Sequence, residues 1–179
     1  MAQRVSVFGS SSPRPGDDLY ASALELGTRL ATAGYVVVTG GYGGLMEATS
    51  RGAAEAGGHV VGVTAPALFP NRAGPNVWVA EESAHATLLQ RIDCLVEMSA
   101  AAIVLPGSIG TLAELVAFWN HAYVARFSDS PPRPLIAVGE PWRSLVPTLA
   151  ATLDTDGSLV TLVDDEQTAA KELTKRLPG

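Results

Sequence analysis

Seven short runs of mostly apolar residues recur along the chain, at 5–8, 35–39, 59–63, 77–80, 102–105, 135–138 and 159–162. Longer stretches with helical patterning lie between most of them, at 17–33, 45–56, 81–99, 109–124, 142–153 and 166–177. This alternation restricts the fold more than any other feature. The short runs are apolar throughout instead of alternating with polar residues, as strands must be when helices cover both faces of their sheet. The pattern therefore predicts a doubly wound, Rossmann-like α/β fold with a mostly parallel sheet of about seven strands. At 179 residues the chain has the length of one domain, so a single unit over 1–179 is expected. The segment 130–134 is proline-rich but short, a loop rather than a linker, and the loop 65–76 carries three prolines and is placed to cover a pocket.

Charge and composition remove several classes of function. The net charge is −6 and no segment clusters Lys or Arg, so the electrostatic footprint for nucleic acid or an anionic membrane is missing. The longest apolar runs are far shorter than the roughly 18 residues that cross a bilayer. The N-terminal segment lacks the basic, apolar and cleavable parts of a secretion signal, and Cys94, the single cysteine, has no partner for an internal disulfide. A cytoplasmic location is expected. Cys94 falls in a helical stretch with neither histidine nor a second cysteine near it in sequence, and is read as a packing residue.

In open parallel sheets, ligands bind beyond the carboxyl ends of the strands. Three loops rich in small residues are expected there: Gly9, Ser10, Ser11 and Ser12 after the first run, Gly40 to Gly44 after the second, and Pro106 to Thr111 after the fifth. In the second loop, four glycines surround Tyr42 at a strand-to-helix switch. Backbone N–H groups there can approach a phosphate at the positive end of a helix, although a tight turn alone also accounts for such a cluster. The spacing is neither G-x-G-x-x-G nor G-x-x-x-x-G-K-[ST], which argues against a typical dinucleotide site and a P-loop. In the first loop, serine hydroxyls and amides can bind phosphate or ribose, or merely cap a turn.

The helix 109–124 has Ser108 at its start as a candidate cap. Leu112, Leu115, Val116 and Trp119 form one side, and Gly110, Glu114, Ala117 and His121 the other. On that reading Glu114 lies near the helix start and is turned from the core. There it meets a ligand or a partner chain, or is simply a solvated acid that suits the helix dipole.

These residues resemble the LOG (Lonely Guy) family, often labelled lysine decarboxylase-like, whose signature is P-G-G-x-G-T-x-x-E. It stands here as Pro106, Gly107, Ser108, Ile109, Gly110, Thr111, Leu112, Ala113 and Glu114. The segment TGGYGGLMEATSRGAAEAGG resembles the second signature, T-G-G-G-x-G-x-M-E-A, and Arg91 stands 15 residues before the motif proline, where the family places an arginine. With the opening VFGSSSP, the resemblance spans roughly residues 4–124.

The resemblance implies hydrolysis of the N-glycosidic bond of a nucleoside 5′-monophosphate, a cytokinin ribotide or AMP, to free base and ribose 5-phosphate, with no cofactor. It implies Glu114 and Arg91 as catalytic residues. Gly9, Ser10, Ser11, Gly41, Tyr42, Gly43, Gly44, Met46, Gly107, Ser108, Ile109, Gly110 and Thr111 would hold phosphate and ribose. A homodimer is expected to complete the site through apolar helix surface around Arg91 and Trp119. Three positions depart from the family pattern: Ile92 replaces a frequent lysine, Ser108 a glycine and Ala113 an acid. They keep a second reading open, a non-catalytic nucleotide or cofactor carrier on the same fold. The decarboxylase label is disfavoured because no lysine is placed to form a Schiff base.

The remaining polar residues suggest no further site. His121 is read as a satisfied helix histidine, and His59 and His85 lack company for a metal. Trp119, Trp78 and Phe118 are assigned to core or subunit contact. The acidic segments 154–157 and 164–166 read as a turn and a helix start rather than a calcium loop.

Overall fold

The computed structural model describes residues 2–69, 74–127 and 131–178. Parts of the two proline-containing loops, 70–73 and 128–130, lie outside the described residues. The chain runs β1 (Arg4–Phe8), α1 (Asp18–Thr32), β2 (Val36–Thr39), α2 (Leu45–Glu55), β3 (Val60–Thr64), β4 (Glu81–Ala84), α3 (Leu88–Glu97), β5 (Ala101–Val104), α4 (Ile109–Ala125), β6 (Leu135–Val138), α5 (Trp142–Leu153), β7 (Thr161–Val163) and α6 (Glu166–Arg176). All seven strands are parallel, in the order β4-β3-β2-β1-β5-β6-β7. The doubly wound α/β expectation holds.

Successive residues of a strand point to opposite faces, and here the two faces feed separate cores. Val5, Val7, Val37, Ala101 and Ile103 pack with Tyr20, Leu26 and Leu30 of α1, Leu45 of α2 and Leu173 of α6. Phe8, Val38, Ala102 and Val104 pack with Leu95 of α3, Leu115 and Phe118 of α4 and Trp142 of α5. Burial on both sides is the reason the central strands read as unbroken apolar runs.

The outer strand departs from the sequence reading. Residues 77–80 are a turn, not a strand, and Val77 is 90% exposed. Asn76 closes that turn: its Oδ1 accepts from the Trp78 N–H at 3.1 Å and its carbonyl from the Val79 N–H at 3.1 Å. The strand that follows is Glu81–Ala84, which the helical pattern over 81–99 had absorbed. Edge strands are commonly polar and charged, which blunts further pairing, so an apolar-run search passes over them. The helix itself begins only at Leu88, behind a reciprocal cap between Thr87 and Gln90. At the other edge, the run 159–162 divides into a 3-10 turn at Gly157–Leu159 and β7.

The strand order grows outward in both directions from the neighbours β1 and β5. That reversal is a topological switch point, where the loops leaving two adjacent strands diverge and open a crevice. The loops after β1 and β5 are the two that begin with Gly9 and Pro106. Among the described residues no helix is long and apolar enough to cross a membrane.

Candidate functional site

The three loops meet above the switch point. The Ser10 N–H donates to the Pro106 carbonyl at 3.0 Å, and the Leu45 N–H donates to the Ser10 carbonyl at 2.8 Å, so the first loop ties the other two together. Gly44 has φ +73°, and a Cβ there would run into the Ser10 carbonyl and Ser11. Glycine is thus required both by conformation and by the close approach of the first loop. Gly41 and Tyr42 are pinned from the far side. Asn76 Nδ2 donates to their carbonyls at 3.1 and 3.0 Å, and the Asn76 N–H donates to the Gly41 carbonyl at 2.7 Å. The Tyr42 hydroxyl accepts from the Ala65 N–H at 2.9 Å, and its ring meets Phe69 edge-on with centroids 5.3 Å apart.

In the third loop, Thr111 is buried and its side chain occupies the space a Gly107 side chain would take. Ser108, Gly110 and Ile109 are exposed, Ile109 to 79%. The first N–H groups of α4 have no acceptor within the helix and face outward from this loop, a ready anion site. Ser108 has φ −109°, so the family's glycine is not required at that position. The expected cap is absent: the Ser108 side chain makes no hydrogen bond to the helix start.

Glu114 corrects the sequence reading most sharply. It is not turned from the core but 9% exposed, on a buried face with Thr111, Leu115, Phe118 and Trp119, while Val116 of the expected core stripe is 43% exposed. The reason lies in α4 itself, which is apolar nearly all round, so hydrophobicity does not single out one face. Met46, at the start of α2, is also buried and lies against Gly40.

Arg91 reaches Glu114 from α3. It is 6% exposed; its Nε donates to the Val63 carbonyl at 2.8 Å, Nη1 to Glu114 Oε1 at 3.2 Å and Nη2 to the Gly40 carbonyl at 3.4 Å. The guanidinium thus joins the ends of β3 and β2 to α4. A side chain on Gly40 would strike both Arg91 and Met46. With five N–H donors, Arg91 keeps capacity beyond these three bonds. Burial pushes the Glu114 carboxyl above its ordinary pKa, and the charge and hydrogen bond of Arg91 offset only part of that rise. A carboxylate so placed is a stronger base than one on the surface.

Beside the second loop lies a cavity of about 510 Å³, lined by Ser11, Arg14, Tyr42, Gly43, Glu47 and Asn76 among others. Sequence reasoning assigned no role to Arg14, Glu47 or Asn76. Glu47 stands inside the quoted M-E-A signature, which was the available signal. The larger groove of about 740 Å³ runs between α1 and α6, away from these loops.

Other candidates fall elsewhere. Ile92 packs at the margin of the α3–α4 core. His121 pairs with Glu97 at 3.4 Å, and burial, followed by nearby Arg133, lowers its pKa against the opposing pull of Glu97. His59 pairs with Glu81 at 3.2 Å. Cys94 is half-buried in α3, and folding brings Ser83 Oγ within 3.6 Å of its sulfur and 3.0 Å of His85 Nε2, a proximity hidden in the sequence. Phe118 is core, the Trp119 indole donates to the Asp156 carbonyl at 3.0 Å, and Trp78 lies beneath the Arg51 guanidinium. Among the described residues no group of acids, histidines and cysteines is arranged to hold a metal ion.

The family model described as SLOG cluster4 matches residues 2–132. The chain is 32% identical over 139 residues to a cytokinin riboside 5′-monophosphate phosphoribohydrolase of Mycobacterium tuberculosis, covering 77% of this chain and 71% of that protein. It is 37% identical over 115 residues to a probable cytokinin riboside 5′-monophosphate phosphoribohydrolase of Oryza sativa subsp. japonica, covering 64% of this chain. The match spans about half the length of that rice relative, 46%. Among solved structures, a molybdenum cofactor binding protein from Rippkaea orientalis has a TM-score of 0.77 at 23% identity, over 99% of this chain and 98% of that one. The last likeness is one of fold.

Proposed function

The chain belongs to the SLOG cluster4 family, and we propose that it hydrolyses the N-glycosidic bond of a nucleoside 5′-monophosphate, a cytokinin ribotide or AMP, giving free base and ribose 5-phosphate. The observation that carries this reading is the buried Arg91–Glu114 pair, 3.2 Å apart, at the sheet edge where three glycine-rich loops converge. The relatives named as phosphoribohydrolases support it.

The 5′-phosphate sits on the outward N–H groups of residues 107–111, with Gly9, Ser10 and Ser11 beside it, the loop 41–44 against the ribose and Met46 against the nucleoside. Glycosidic cleavage passes through an oxocarbenium-like state at C1′. Glu114 stabilises that charge and takes a proton from water as the water oxygen bonds to C1′. The bond from C1′ to the base nitrogen breaks with its electron pair, and the departing base is protonated. Arg91 holds the carboxylate in place and offers its remaining N–H groups to the substrate. The chemistry uses no cofactor. The protein works in the cytoplasm as a homodimer, in which the apolar outer face of α4 pairs with a second copy.

A second reading, a non-catalytic nucleotide or cofactor carrier, draws on one observation: Arg91 already satisfies Glu114 and two carbonyls, with Ile92 and Ala113 beside the pair in place of charged residues. Incubation with AMP and an N6-substituted AMP, followed by assay of free base and ribose 5-phosphate, decides between them. Stoichiometric release of both products is expected. Tight binding without release would overturn the hydrolase reading in favour of the carrier.

A further inference from the structure

Glu47 lies in the first turn of α2, half-buried, one residue past Met46. Neighbouring helical residues point about 100° apart. Met46 turns toward Gly40 and the Arg91 guanidinium, while Glu47 turns toward α1, where the Tyr20 hydroxyl donates to its Oε1 at 3.3 Å. The other oxygen, Oε2, has no hydrogen-bond partner among the described residues. It faces Gly43, where even an added Cβ would stand 3.7 Å away, so the missing side chain leaves Oε2 open to the 510 Å³ cavity.

Across that cavity stands Arg14, whose Nη1 is held by the Ser11 and Pro13 carbonyls at 2.9 and 3.2 Å. Tyr42 also lines this cavity, and its ring centroid lies 5.9 Å from the Arg91 guanidinium carbon, so the cavity adjoins the catalytic pair. A phosphate beside the Glu47 carboxylate would be repelled. Two adjacent O–H donors suit it, since the open Oε2 has two lone-pair sites and a vicinal diol presents its hydroxyls side by side, and carboxylates commonly hold a ribose hydroxyl at the edge of this kind of sheet.

We infer that Glu47 accepts the 2′- and 3′-hydroxyls of the substrate ribose and so makes the protein selective for ribonucleotides over 2′-deoxyribonucleotides. This rests on the nucleotide-site reading above. Tyr20 keeps the carboxylate aimed: its hydroxyl pKa is raised by burial and then by the Glu47 charge, which holds it in the donor form.

The test measures calorimetric affinity for a C-glycosidic analogue of AMP, which does not hydrolyse, and for its 2′-deoxy counterpart, alongside a separate assay of base release from AMP. Wild type is expected to favour the ribo form by about tenfold or more, the usual worth of a hydrogen bond to a charged group. Glu47→Gln, which keeps an acceptor for Tyr20, should reduce the ratio to near unity, and Tyr20→Phe should preserve most of it. Equal binding of the two sugars by wild type, or an unchanged ratio in Glu47→Gln, overturns the assignment, and wild type alone is decisive should the variant not fold. Base release from AMP with equal sugar affinities sinks this inference only. Absence of both binding and release sinks the hydrolase reading with it.

Discussion

Arg91 and Glu114 stand on different helices, 23 residues apart in sequence, yet meet at 3.2 Å in a space nearly closed to solvent. Such a pair is held by the groups around it more than by its own attraction, because desolvation opposes the Coulombic gain. The Val63 and Gly40 carbonyls supply that support. Removing one partner therefore has different effects on folding and on chemistry, and the choice of substitution separates them.

Glu114→Gln retains an oxygen acceptor for Arg91 Nη1 and nearly the same volume. It should fold with a Tm within a few degrees of wild type while kcat falls by about 10²–10⁴-fold, the usual contribution of a positioned acid or base. Glu114→Ala leaves a buried guanidinium without its counter-charge and should lose about 3 kcal/mol of stability, read from urea denaturation. Unchanged turnover in the Gln variant would remove Glu114 from the reaction.

Activity and stability should respond to pH in opposite senses through Glu114. Its folded-state pKa is raised by burial, so its contribution to stability is fully present below the unfolded glutamate value and is lost as pH rises through the higher folded value. Water activation needs the ionised form, which accumulates over the same interval. The acid limb of kcat/KM should therefore lie above the ordinary glutamate range, and the matching fall in unfolding free energy should be missing from Glu114→Gln. A limb at or below the ordinary value would contradict the assignment.

Gly44→Ala places a methyl group against the Ser10 carbonyl at φ +73°. Relief requires the first and second loops to separate, which breaks the Leu45 N–H to Ser10 bond. A stability loss of about 1–3 kcal/mol is expected from the backbone alone. Affinity for ribose 5-phosphate, measured by calorimetry, should fall by more than tenfold. Gly110→Ala, where nothing lies within 4 Å of an added Cβ, is the control for a glycine in the motif without that constraint.

The legible parts of this molecule are those in which one physical demand acts alone. Central strands are buried on both sides and announce themselves as apolar runs, and the glycine loops fall where a parallel sheet leaves room for ligands. The edge strand Glu81–Ala84 answers to a different demand, the avoidance of further pairing, and its polar sequence concealed it within a helical pattern. Glu114 was identified by its motif, but its direction was misread because α4 has apolar residues on both its buried and its outer face. Glu47 stood in plain view beside Met46, yet only the packing of α1 on α2 reveals a carboxylate with one oxygen held by Tyr20 and the other directed into a cavity.

The outer face of α4 yields the last expectation. Val116 and Val124 are 43% and 55% exposed, on a helix whose described side chains include Glu114 as their single acid, and that acid points inward. Water contact over so apolar a surface is unfavourable by about 25 cal/mol per Å² of accessible area, and pairing with an identical helix about a two-fold axis covers it without requiring charge complementarity. Val124→Glu should place a carboxylate in that contact and shift the sedimentation coefficient from dimer to monomer, with little effect on Tm because the position is already exposed in the single chain. If wild type sediments as a monomer at tens of micromolar, the dimer is excluded. If Val124→Glu remains fully dimeric, the contact lies on another face.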